Sequence, residues 1–140
     1  MKRFYKFDSE HGIATVHIVS GDLSFIGMAQ CHKDDRDFMS ERTGLQIAET
    51  RAEINFLKHI KNNEITPALT ALKHLESNMK TSKHYNKKSY EARMLRRQVA
   101  IKTNELKAIE QEINNLKTFI HNYIIQKEHL YTKLRQGKNN

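Results

Sequence analysis

One cysteine, Cys31, one proline, Pro67, five scattered glycines and no tryptophan stand in 140 residues. A lone cysteine closes no intramolecular disulfide, so nothing ties the chain to an oxidising compartment, and a reducing cytosol is the expected setting. No glycine-rich phosphate loop follows a strand, which excludes the nucleotide-hydrolysing folds built on one. No apolar run approaches the roughly 18 residues that cross a bilayer. The start, Met1 to Phe7, interleaves charge with aromatics, unlike a signal peptide. A soluble, unexported chain with no membrane partner is therefore expected. Apolar side chains are also scarce: 38% hydrophobic content and a mean hydropathy of -0.74 leave little for a self-sufficient core. With 29% charged residues, the composition suits one domain of long helices that each bury one stripe, often against a second copy.

What is present begins with β-forming residues. Arg3 to Phe7, Ile13 to Val19 and Leu23 to Cys31 are β-branched or aromatic, and turn formers at 8–12 and 20–22 separate them. They predict an antiparallel meander over 1–32. In its third strand Leu23, Phe25, Gly27, Ala29 and Cys31 share a face that packs on a helix, while Ser24 and Gln30 face water. A first helical segment is expected over 38–80, with apolar steps Leu45, Ala48, Ala52, Phe56 and Ile60, then Ile65, Leu69, Leu72, Leu75 and Met79. Thr66-Pro67 reads as a break or sharp kink, with Thr66 as N-cap.

A long C-terminal helix is expected over 86–136. Steps of four and three run through Leu95, Val99, Lys102, Leu106, Ile109, Ile113, Leu116, Ile120, Tyr123, Lys127, Leu130 and Leu134, and all but the two lysines are apolar or aromatic. That is a sustained heptad. The predicted class is α+β: a small N-terminal meander followed by long helices in an intertwined, coiled-coil-like oligomer.

Charge is concentrated at the start of this helix. Between Lys73 and Lys102 nine Lys or Arg face two acids, a surplus of +7 in a chain whose net charge is +8. Aromatics are set into the same stretch: Tyr85 and Tyr90 stand among Lys83, Lys87, Lys88, Arg93, Arg96 and Arg97. Most charge runs are solvated helix faces. Here the three arginines fall at steps of three and four, so they repel one another unless an anion intervenes. Guanidiniums for phosphate beside rings for a base point to a phosphate-bearing partner with a nucleobase.

Catalytic and metal readings are weaker. Cys31-His32 with His11 and His17 lacks metal-ligand spacing, and adjacent Cys and His on a strand point to opposite faces, which does not suit a nucleophile with its base. The acidic stretch Asp34-Asp35-Arg36-Asp37 is better explained by turn and cap duty than by a cation. No catalytic residue, metal or cofactor is expected.

Three segments carry a family resemblance. These are Phe25-Ile26-Gly27-Met28-Ala29-Gln30-Cys31-His32-Lys33-Asp34-Asp35, Gly44-Leu45-Gln46-Ile47-Ala48-Glu49-Thr50-Arg51-Ala52, and Tyr85-Asn86-Lys87-Lys88-Ser89-Tyr90-Glu91-Ala92-Arg93. In this order the chain resembles the first type of Thoeris anti-defence protein, small phage proteins that sequester the signal of a bacterial immune system. The resemblance implies an N-terminal sheet, long helices in an intertwined dimer or a hexamer, and residence in the cytoplasm of the infected bacterial host. It implies a cyclic ADP-ribose isomer (gcADPR) bound intact by a protein that is not an enzyme, and in some relatives cyclic trinucleotides at a separate site.

A pyrophosphate of such a ligand suits Arg93, Arg97 and either Arg96 or Lys88, and its adenine needs a flat surface, with Tyr85 the first choice and Tyr90 the second. Asn86 and Ser89 can hydrogen-bond ribose or base edge, and Arg51 is a candidate to close the pocket. The alternative is a phage nucleic-acid-binding protein that uses the basic 80–102 block, and a third reading is a coiled-coil assembly protein whose charge is incidental.

Overall fold

The computed structural model describes residues 1–31 and 40–139. The acidic stretch 34–37 and His32 lie outside the described residues. The class is α+β: strands β1 (Lys2–Asp8), β2 (Ile13–Ser20) and β3 (Leu23–Gln30) precede helices α1 (Glu41–Ile60), α2 (Thr66–Lys80) and α3 (Tyr90–Asn139). By packing the chain divides into two compact units, Met1–Phe56 with Asn114–Asn140, and Leu57–Ile113.

In the first unit the strands form an antiparallel sheet in the order β1-β2-β3. The alternation of the sequence sorts its faces. Ala14, Val16 and Ile18 on β2 are fully buried, and Ala29 on β3 joins them, while Phe4, Ile26 and Met28 on the opposite face remain about half exposed. Both hairpins turn on glycine where backbone φ is positive, 66° at Gly12 and 61° at Gly21, a conformation that costs other residues steric strain. In the first hairpin Asp8 Oδ1 accepts from the backbone amides of Glu10 and His11, at 3.1 and 3.2 Å.

Helix α1 covers the buried face. Its small residues Gly44, Ala48 and Ala52, four apart, lie along one stripe, and Gly27 of β3 meets that stripe without a side chain. Polar contacts flank this contact. Arg3 reaches Glu49 at 2.8 Å and Glu53 at 2.6 Å. At the other edge of the sheet Arg51 Nη1 donates to the Met28 carbonyl at 2.6 Å and Asn55 Nδ2 to the Ile26 carbonyl at 2.8 Å. Strand β3 is an edge, so these side chains occupy carbonyls that would otherwise invite another strand. Phe25 and Phe56 meet edge to face with centroids 5.3 Å apart.

In the second unit the helix does not break at Thr66-Pro67. A π-helical turn, Lys61–Ile65, joins α1 to α2, and Thr66 keeps helical angles (φ -61°, ψ -46°) instead of capping. Proline has no N–H for the carbonyl four residues back, at Asn63, and its ring crowds that carbonyl. The wider turn admits proline without ending the helix. Ile65 and Leu69 on this side, and Ala92, Leu95, Ile109 and Ile113 on α3, are buried. An ion pair joins Lys61 to Glu110 at 3.3 Å. No helix among the described residues is long and apolar enough to cross a membrane.

Candidate functional site

The residues singled out by charge lie mainly in the second unit, on the turn that leads into α3 and on that helix's first two turns. Helix α3 begins at Tyr90, later than the spacing predicts, because Ser89 caps it. Its hydroxyl accepts from the Ala92 amide at 3.2 Å and its carbonyl from the Arg93 amide at 3.1 Å. Ahead of the cap, Asn86 closes a local turn. Its side-chain oxygen accepts from the Lys88 amide at 3.0 Å and its carbonyl from the Ser89 amide at 2.9 Å. Asn86 and Ser89 thus use their acceptors on the backbone, while the Asn86 amide nitrogen and the Ser89 hydroxyl proton are donors by chemistry. Tyr85, whose amide bonds the Ser82 carbonyl at 3.2 Å, is half-buried, and Lys88 is exposed.

The three arginines do not act alike. Arg93 and Arg97, one helical turn apart, are both exposed. Arg96 is partly buried and folds back so that Nη2 donates to the Lys87 carbonyl at 2.8 Å. Its Nη1 is enclosed without a hydrogen-bond partner among the described residues. Arg96 therefore fastens the turn to the helix, and Arg93 and Arg97 remain as the pair that faces water.

Beside this pair lies an apolar groove that the charge pattern alone does not reveal. It is open, about 390 Å³ in volume, and lined by Leu75 and Met79 from α2 and by Tyr90, Met94 and Leu95 from α3, with Glu91 and Gln98 at its polar edge. Tyr90 is 69% exposed and Leu75 55%. Arg93 stands three residues beyond Tyr90, and Arg97 three beyond Met94, so the cations border the apolar lining by helical spacing. The signal for α2's contribution is its apolar stripe, which continues through Leu75 and Met79 to the end of the helix.

Arg51 belongs to the first unit, where the Met28 carbonyl holds its guanidinium. Among the described residues, the ligand-type side chains that gather are Asp8, Glu10 and His11, with candidate ligand atoms within 4.8 Å of one another. Their hydrogen bonds are those of the hairpin turn: besides the two amides on Oδ1, His11 Nδ1 lies 2.8 Å from Asp8 Oδ2. That contact holds the Asp8 carboxyl below the ordinary aspartate range.

Comparison of the chain with protein-family models, with curated proteins and with solved structures finds no match.

Proposed function

We propose that the chain is a non-catalytic binder that sequesters a cyclic ADP-ribose-type signal and so inhibits a bacterial Thoeris defence. The observation that supports it most is the apolar groove beside Tyr90, bordered by two exposed arginines. A base has a ring and methionine side chains to lie against, and a pyrophosphate has two guanidiniums within one helical turn. In this reading Tyr90 is the first stacking residue and half-buried Tyr85 the second, while Lys88, Asn86 and Ser89 offer donors to phosphate, ribose or base edge. Arg96 positions the turn. Binding a cyclic trinucleotide elsewhere on the chain belongs to the same proposal through the family resemblance.

Self-association, as a dimer or a hexamer, is part of the reading. In the first unit the outer sheet face exposes Phe4, Ile26 and Met28, and the C-terminal part of α3 exposes Phe119, Ile125, Leu130 and Leu134. Apolar surface of this kind is covered in oligomers. The site of action is the cytoplasm of the infected host.

A nucleic-acid-binding role is the second reading, favoured by the exposure of Lys83, Lys87, Lys88, Arg93 and Arg97 along one stretch. The two differ in salt dependence. A chain that tracks several phosphates loses affinity steeply as log salt rises, whereas capture of one pyrophosphate gives a shallow slope.

The test is calorimetry of the purified protein with cyclic ADP-ribose isomers, followed by mass measurement of the released ligand. Saturable binding with the ligand recovered unchanged is expected. Hydrolysis at catalytic turnover overturns the proposal, as does absence of binding.

A further inference from the structure

The first unit contains a cavity of about 230 Å³ that the proposed nucleotide grip does not use. Its apolar part is formed by Phe7, Ala29, Ile47 and Ile124, and its polar part includes Arg51, Lys127, Glu128 and Tyr131. Two cations line one partly enclosed space. Among the described residues neither Arg51 nor Lys127 has a carboxylate within ion-pair distance, and Glu128, which also lines the cavity, pairs with neither. Like charges that line one cavity repel, and an anion between them removes the repulsion.

Lys127 is also out of place in the heptad. Lysine interrupts the apolar seam twice, at Lys102 and Lys127. The first is accounted for by Glu105 at 2.9 Å. Among the described residues Lys127 meets the face of Tyr123, with its ammonium 5.4 Å from the ring centroid. An ammonium on a ring remains a full charge able to bind an anion. Arg51 is fixed by the Met28 carbonyl through one N–H, and a guanidinium carries five. The cavity thus offers one oriented fork and one point charge together with an apolar lining.

We infer that this cavity binds a small single-ring organic anion, a carboxylate or phosphate, held between Arg51 and Lys127 with its ring against Phe7 and Ile124. The size limits the class. Pockets for drug-sized ligands run from about 300 to 1,000 Å³, so a cyclic dinucleotide-sized molecule is too large for this one. The site is separate from the groove beside Tyr90 and does not depend on what that groove binds.

The test titrates the full chain with phenyl phosphate and with benzoate, using phenol as the ring without the charge and inorganic phosphate as the charge without the ring. At least one ring anion should bind saturably, one per chain, and more tightly than either control. Lys127→Met, which continues the apolar seam and keeps the fold, should weaken binding at least tenfold, whereas Lys127→Arg should retain it. A Tyr90→Ala, Arg93→Ala double variant should leave it unchanged. Three results each overturn the inference: no saturable binding of either ring anion, affinity unmoved by Lys127→Met, or inorganic phosphate binding as tightly as the ring anions. Loss of binding in the double variant overturns the separateness of the site.

Discussion

Gly27 of β3 lies directly under Ala48 of α1, so close that a methyl group on Gly27 would collide with the Ala48 carbonyl oxygen and the Ala52 backbone nitrogen. Both obstacles are main chain and cannot swing away. Gly27→Ala should destabilise the first unit by about 3 kcal/mol or more, at the top of the range for overpacking. Gly21→Ala, where no atom lies within 4 Å but φ is +61°, should cost only about 1 to 2 kcal/mol. Denaturant midpoints of the two variants check the contrast.

Ser89 sets the start of α3 through its hydroxyl on the Ala92 amide. Ser89→Ala should cost about 1 kcal/mol, the usual loss of an N-cap. Hydrogen exchange at the amides of 90–93 should rise more than exchange in the middle of α3.

If the groove is the ligand grip, Tyr90→Ala and Arg93→Ala should each weaken capture of the cyclic ADP-ribose isomer by about 1 to 3 kcal/mol and leave thermal unfolding near that of the parent. Ile113→Ala should do the reverse. That side chain is buried, and its truncation should cost about 2 to 5 kcal/mol of stability. Calorimetry and thermal unfolding on the same variants separate the two classes, and equal effects from both would mean scaffold had been taken for site.

Asp8 should titrate below an ordinary aspartate, chiefly because His11 hydrogen-bonds its carboxylate. The folded value is depressed, so whatever stability this contact contributes is present above the unfolded aspartate range and is lost as pH falls through the folded value. A carboxyl NMR titration should show the low midpoint, and His11→Ala should move it upward.

The legible parts of the fold were those set by neighbours in sequence. The meander followed from β-branched runs between turn formers, and its strands start and stop within a residue or two of where those runs do. The inward stripe of β3 read correctly at Phe25, Gly27 and Ala29, whereas Leu23, at the strand's start, is nearly half exposed. At Thr66-Pro67 the local signal pointed to a break or a sharp kink; the helix does not break there, because a π-helical turn absorbs the proline, which sequence alone does not reveal. Within the candidate site the aromatics and charges were legible, whereas the helix start was placed at 86, four residues before Tyr90, because spacing does not show that Ser89 serves as the cap. Arg96 was not separable from Arg93 and Arg97 by spacing, since its attachment to Lys87 depends on how the preceding turn folds.

The sequence by itself determined the class of each segment, the concentration of charge before α3 and the absence of a glycine-rich phosphate loop, because all three depend on residue type and short-range period. Tertiary structure decided what those residues face. Leu75 and Met79 come from α2 and Tyr90 and Met94 from α3 to line one groove, and Arg51 and Lys127 come from distant positions to line one cavity. Helical period shows which side chains share a face. Only the packing of separate elements decides whether that face meets a core, a ring or an open space that an anion can fill.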